Sequence, residues 1–212
     1  MPKKKLKKAE RDQLFNSNKT NLVKLFKRNP CLVGLDIGTD ITGLCIKGKP
    51  YSIFGGNGLR VKRIHAIRNQ LFKKFKKLKL NSEPVVVLVE DYSLSLKGAS
   101  LYQLAEAGGV INDLFFKLGV LVFRVAPSTL KKFVLGPGKR SKAQNKKQVI
   151  MVEVLDRWGI KITDDNACDA YCLYKFASSL SDFILDKSSL KAWEQPMFRD
   201  FVINRGHYDK ME

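Results

Sequence analysis

Beyond residue 30, short apolar runs are separated by turn residues. Residues 31–37 (CLVGLDI) read as a buried strand that enters a tight turn at Gly38. Residues 41–47 (ITGLCIK) and 51–54 read as two more strands, which together predict an antiparallel meander. From Arg60 to Leu80 the period changes, with Ile64, Ile67, Leu71, Phe75 and Leu78 recurring at helical spacing. After Pro84, residues 85–90 (VVVLVE) form a continuous apolar run ending on a carboxylate, the pattern of a central strand covered on both faces. Helical patterns follow at 100–118, where Gly108 and Gly109 allow close packing, and at 127–135, which ends in the Gly136-Pro137-Gly138 turn. Between them, residues 120–125 read as a strand. Two more helices are expected at 144–158 and 166–180, the second capped by Thr163, Asp164 or Asp165.

Three strands, a helix, a strand, a helix, a strand and then helices is the element order of a ribonuclease-H-like α/β domain. Such a domain has a mixed five-stranded sheet with helices on both faces. The chain divides accordingly into a basic N-terminal arm (1–30), the α/β domain (31–181) and a C-terminal extension (182–212). Within the arm, residues 21–26 read as a short amphipathic helix, and the rest as a solvated tail or a DNA-contacting arm. The extension carries Trp193, Phe198 and Tyr208 in no pattern that assigns an element.

Charge narrows the function. The 212 residues hold 39 Lys and Arg against 20 Asp and Glu, a net charge of +19. A chain this basic favours a polyanionic partner, nucleic acid first and an anionic membrane surface second. The outward face of 60–80 adds Lys62, Arg63, Arg68, Lys73, Lys74, Lys76 and Lys77, with no acid to balance them. No 18-residue apolar segment argues for a membrane span, and the Lys-rich start lacks the apolar run of a secretory signal. Cys31, Cys45, Cys168 and Cys172 form no CxxC pair, and only His65 and His207 stand beside them, which argues against structural zinc. These cysteines fit core packing in a reducing compartment, the cytoplasm or another that contains DNA.

The acids are few but placed in a pattern. Asp36 ends the first strand, Glu90 ends the central strand, and Asp169 sits on the last helix with Asp165 one turn earlier. Each has a structural explanation: Asp36 can bond to turn amides at Gly38 or Thr39, Glu90 can pair with a lysine, and Asp165 can cap its helix. Jointly they favour a metal site, since an acid ending a wholly apolar strand is costly without a partner. An all-oxygen donor set suits Mg²⁺, with Mn²⁺ as substitute. Two such ions about 4 Å apart activate water and stabilise the leaving oxygen of a phosphodiester.

At this point the sequence resembles the RuvC-type Holliday-junction resolvases. Val33 to Gly43 (VGLDIGTDITG) is similar to the opening motif of that family, and LVEDY (Leu88 to Tyr92) to its strand ending in a catalytic Glu. Pro127, Lys131, Gly136, Gly138, Lys146 and Val149 follow its P-x-x-x-K…G-x-G…K-x-x-V segment, with extra residues before Lys146. Asp164 to Leu173 (DDNACDAYCL) is similar to its final acidic helix. The resemblance covers about residues 31 to 180. It implies a ribonuclease H fold, a homodimer, and metal-dependent paired incisions in four-way DNA junctions. It also implies that Asp36, Glu90 and Asp169 are metal ligands and that Lys131 and Lys146 lie near the scissile phosphate. Arg140 and Lys142, in the same basic segment, join the DNA-binding candidates.

Two positions depart from the family pattern. The family's last helix reads D-x-x-D, whereas Asn166 stands three residues before Asp169. Asp165 is preferred as the fourth ligand because a carboxylate binds a divalent ion more strongly. The family's aromatic residue three after the Glu is replaced by Ser93, leaving Tyr92 as the nearest aromatic to contact DNA. Nucleases of phage type, acting on branched DNA and carrying long basic tails, fit both departures. Three rival readings stay open. One is a D-x-G-T small-molecule kinase or ATPase, carried by Asp36 to Thr39. The others are a non-catalytic nucleic-acid-binding shell and a nuclease for RNA or hybrids.

Overall fold

The computed structural model describes residues 7–80, 84–91, 98–137, 146–187 and 190–205, with the backbone alone at Lys146 and Lys147. The elements in order are α1 (Lys8–Phe26), β1 (Cys31–Asp36), β2 (Ile41–Ile46), β3 (Lys49–Phe54), α2 (Arg60–Leu80), β4 (Val85–Glu90) and α3 (Ala99–Lys117). They continue with β5 (Leu121–Val125), α4 (Pro127–Leu135), α5 (Lys146–Trp158), α6 (Asp165–Ile184) and α7 (Glu194–Arg205). The strands form one sheet in the order β3-β2-β1-β4-β5. The β1–β2 and β2–β3 pairs are antiparallel, whereas β1–β4 and β4–β5 are parallel. This is the expected mixed five-stranded sheet.

Side-chain alternation splits the core in two. Cys31, Val33 and Leu35 of β1 and Val85, Val87 and Val89 of β4 meet α2 and α3 on one face. Val86 and Leu88 of β4 and Phe123 and Val125 of β5 join α1, α4, α6 and α7 on the other. Glu90, two residues beyond Leu88, therefore belongs to the α6 face, and Asp36, in phase with Leu32 and Gly34, belongs there too.

Helix α6 lies unusually close to the sheet. A Cβ on Gly34 would sit 2.0 Å from the Ala170 carbonyl oxygen and 2.5 Å from the Tyr174 nitrogen. A Cβ on Gly43 would sit 1.9 Å from the Asn166 oxygen. Only glycine at both positions admits the α6 backbone. All four cysteines are free and buried, and burial pushes the Cys45 thiol up to about 12, as expected of core residues.

The terminal segments differ most from expectation. In place of a short helix at 21–26, α1 spans 19 residues and buries Phe15, Asn18, Leu22, Leu25 and Phe26. The Asn18 amide donates to the Val202 carbonyl at 2.8 Å, which makes a polar residue tolerable there. Asp12 pairs with Arg199 and Arg11 with Asp200, both at 2.6 Å, so α1 and α7 are laced together. The extension, unassigned from sequence, supplies α7 and buries Phe198 against Phe176 at 5.0 Å between ring centroids. The first residue of α7, Glu194, is buried and paired with Arg157, whose guanidinium also stacks on Phe133 and Trp158.

Candidate active site

The turn after β1 is closed by its own side chains. The Gly38 N–H donates to Thr42 Oγ1 at 3.3 Å, and the Thr42 hydroxyl donates to the Gly38 carbonyl at 3.2 Å. Thr42 is buried, and a Cβ on Gly38 would collide with the Ile41 oxygen. The D-x-G-x-x-x-T-G pattern is thus a closed turn that presents Asp36 at a strand end. In the parallel β1–β4 ladder the last pair is Leu35 opposite Val89, so the two strands finish side by side on Asp36 and Glu90.

From the opposite layer, α6 brings Asp169 to the same edge. Glu90 and Asp169 line one cavity of about 210 Å³ with Lys131 and Leu130 of α4, Ile150 of α5 and Cys172. Burial, and then the negative charge of Asp169, holds the Glu90 carboxyl above its usual range, while the Lys131 ammonium opposes the rise. Pro127 at the first turn of α4 sets that helix, and Leu130 and Val134 anchor it while Lys131 reaches the cavity.

The start of α6 resolves the choice of cap. Asp164 is the N-cap: it accepts from the Ala167 N–H at 2.7 Å and from the Ser52 hydroxyl at 2.6 Å, tying the helix to β3. Asp165 is the first helical residue, and the Asn166 amide donates to it at 3.3 Å. Asp36, Asp165 and Asn166 are not among the residues that line the cavity. Of the predicted set, then, Glu90, Asp169 and Lys131 converge, with Asp36 beside Glu90 by strand register. Tyr92, Arg140 and Lys142 lie outside the described residues, as does the Lys146 side chain.

Sequence reasoning missed one neighbour of the site. Arg205 of α7 pairs with Asp91, the residue after Glu90, at 2.7 Å. Asp91 stands in LVEDY, but nothing local to Arg205 signals the contact.

Among the described residues, no three acidic, His or Cys side chains close into a cage that could hold a metal ion unaided. The donor chemistry nevertheless fits a hard divalent cation. Two carboxylates from different elements line one partly dry cavity, and burial, then their mutual repulsion, raises the Glu90 carboxyl, a cost that a cation relieves.

A mixed sheet in this strand order, with carboxylates at two adjacent parallel strand ends and on the helix crossing them, is the arrangement of the ribonuclease-H-like class. No protein-family profile matches the chain. It is 30% identical over 148 residues to the crossover junction endodeoxyribonuclease RuvC of Protochlamydia amoebophila, covering 67% of this chain and 86% of that protein. It also superposes on Thermus thermophilus RuvC in complex with Holliday junction substrate. That match has a TM-score of 0.56 at 15% identity, over 74% of this chain and 97% of that one. A second Thermus thermophilus RuvC structure gives 0.55 at 18% identity, over 70% and 95%. The chain belongs to the RuvC family of crossover junction endodeoxyribonucleases. The D-x-G-T kinase reading is thereby set aside.

Proposed function

We propose that this chain is a Holliday junction resolvase, an endonuclease that hydrolyses phosphodiesters in four-way DNA junctions and takes other branched DNA as well. The convergence of Glu90, Asp169 and Lys131 in one cavity at the end of β4 carries the reading. The RuvC relative, named for crossover junction cleavage, and the Thermus structure with its Holliday junction substrate support it.

Asp36, Glu90 and Asp169 would hold Mg²⁺, or Mn²⁺ as a substitute, with Asp165 as the fourth carboxylate. When bound, such ions supply a polarised water and Lewis-acid stabilisation of the phosphate. Lys131 neutralises charge on the phosphate oxygens at the cavity, which favours the transition state over the ground state. Lys146, Arg140, Lys142 and Tyr92 complete the DNA contacts in this reading. The large positive balance of the chain holds the polyanion.

The proposal includes a homodimer, because paired incisions need two sites. The outward side of α3 offers a surface for it, with exposed Tyr102 and Phe116 on either side of Gly109, around whose Cα there is open space. No helix among the described residues is long and apolar enough to cross a membrane. The enzyme would act where DNA is, inside the cell.

The test is cleavage of four-way, three-way, flap and linear duplex DNA with Mg²⁺, with Mn²⁺ and with chelator. Symmetric nicks in the four-way junction, lost with chelator and lost in Asp36→Asn and Glu90→Gln with junction binding retained, are expected. Tight junction binding without cutting under any metal would favour the non-catalytic shell instead. Preferential cutting of RNA or hybrids would favour the other nuclease reading.

A further inference from the structure

We propose that α2 forms a cationic track for one duplex arm of the branched substrate, running from the carboxylate edge of the sheet down its opposite face. The proposal rests on the resolvase reading and adds a surface that the catalytic cavity does not include.

Nine of the 21 residues of α2 are Lys or Arg and none is acidic. Its buried side is apolar, with Ile64, Ile67, Leu71 and Phe75 packed on the sheet. Six of the cations have partners within the protein, two of them in the helix itself, where Arg68 donates to Asn69 at 3.1 Å and the Lys76 ammonium lies 5.8 Å from the centre of the Phe72 ring. Arg60 pairs with Glu106 at 2.9 Å and Arg63 with Asp40 at 2.7 Å. The Lys74 ammonium lies 4.6 Å from the centre of the Tyr51 ring, and Lys79 donates to the Gly119 carbonyl at 3.3 Å. Lys62, Lys73 and Lys77, by contrast, are exposed and have no acidic partner among the described residues.

That arrangement works against the helix. Cations in the first turn oppose the macrodipole, which favours acids there, and the first turn of α2 contains none. Lys73 and Lys77 are four residues apart, a like-charge spacing that repels. A polyanion laid along this face removes both penalties.

The placement specifies which polyanion. Strands β1 and β3 each pair antiparallel with β2, so they run the same way, and β3 ends at the edge that carries Asp36 and Glu90. Helix α2 starts there, and the Arg63–Asp40 pair fastens its first turn to the hairpin that follows Asp36. From that point 21 residues extend about 30 Å at 1.5 Å per residue, close to the roughly 34 Å of one duplex turn. The carboxylates face α6 and the track faces away, so the track takes a duplex arm and leaves the scissile strand to the cavity. An anionic membrane fits less well, because the apolar side that would enter lipid is already buried on the sheet.

The experiment compares the full chain with Lys62→Glu/Lys73→Glu/Lys77→Glu. Four-way junction affinity is measured by fluorescence anisotropy across a salt series without divalent metal. The track predicts about a 10- to 100-fold loss at moderate salt and a log–log salt slope shallower by about 2 to 3, near 0.9 per lost phosphate contact. The Gln versions of the same three positions should lose less at each salt, which guards against a folding defect in the Glu variant. A control with equal charge change elsewhere, Lys161→Glu/Lys187→Glu/Lys191→Glu, should keep the wild-type slope. An unchanged slope in the α2 variant, or an equal loss in the control, overturns the track. So does a loss of binding to phosphatidylglycerol vesicles with junction binding intact. If the wild-type chain cuts no branched DNA, the resolvase reading fails; if it cuts while the α2 variant keeps its slope, only the track fails.

Discussion

Arg205, the last residue of α7, donates from Nη2 to Oδ2 of Asp91 at 2.7 Å, and Asp91 directly follows Glu90. The Asp91 N–H also donates to the Val125 carbonyl at 2.8 Å, so the end of β4 is held by β5 and by the C-terminal helix. Both partners are partly exposed, and such a pair adds about 1 kcal/mol or less to stability. Its larger effect should be on where Glu90 stands. Arg205→Ala is therefore expected to lower single-turnover cleavage about 10-fold while Tm and junction affinity barely move. The swap Arg205→Asp/Asp91→Arg should recover much of the loss. A fall in Tm that tracks the loss of activity, with no recovery in the swap, would mark the pair as merely structural.

Gly34 is where the fold and the site depend on one atom. Its added Cβ would meet backbone atoms of α6 at 2.0 and 2.5 Å, and backbone cannot swing aside as a flexible side chain does. Gly34→Ala should cost about 3 kcal/mol, the upper end of overpacking losses, read from urea midpoints at an unchanged m value. The part of the strain that the fold absorbs should displace α6, so cleavage should fall further than binding because Asp169 rides on that helix. A variant as stable and active as wild type would contradict the close helix–sheet contact.

Glu90 gives a pH signature in metal-free protein. Burial and Asp169 raise its folded pKa, so the folded chain binds this proton more tightly than the unfolded chain does. The resulting stability is fully present below the unfolded value of about 4.3 and is lost as pH rises through the folded value. Near neutrality the ionised carboxylate is a net cost to folding. Glu90→Gln should then raise Tm in chelator at pH 7, with the advantage shrinking as pH drops into the ordinary carboxyl range. Thermal melts from pH 4 to 8 provide the measurement, and a Gln variant less stable than wild type at pH 7 would contradict the geometry.

The parts legible in the sequence were those whose causes are local. VVVLVE announces a doubly covered strand because every position is apolar until Glu90, and β4 occupies those six residues. The turn at Gly38 ends β1 near Asp36, and the helical pattern at 166–180 places Asp169 on α6, for the same reason. Helix α1 was mostly hidden because its buried Asn18 looks like a solvent residue until the Val202 carbonyl, 184 positions away, satisfies it. Helix α7 was hidden because its buried Glu194 is tolerable only beside Arg157. The cap of α6 stayed open among three residues because the Ser52 hydroxyl that favours Asp164 comes from β3. In each case the deciding partner is distant in sequence, and no window along the chain contains it.

The fourth ligand proposed for the metal can be tested on α6 itself. Asp164 performs the capping, so substituting Asp165 leaves the N-terminal hydrogen bonds of the helix in place. What Asp165→Asn removes is a carboxylate one turn from Asp169, worth about 0.3–1 kcal/mol to the helix through the macrodipole. The Asn166 side-chain amide donates from Nδ2 to Oδ1 of Asp165 at 3.3 Å. Its side chain is thus oriented toward the neighbouring acid as a donor, whereas a ligand would offer oxygen. Asp165→Asn is accordingly expected to lower Mg²⁺-dependent cleavage about 100-fold and to weaken Mn²⁺ binding in titration calorimetry. Asn166→Ala should stay within about 10-fold of wild type with nearly normal metal affinity. The reverse ranking, in both cleavage and metal affinity, would move the fourth ligand to Asn166.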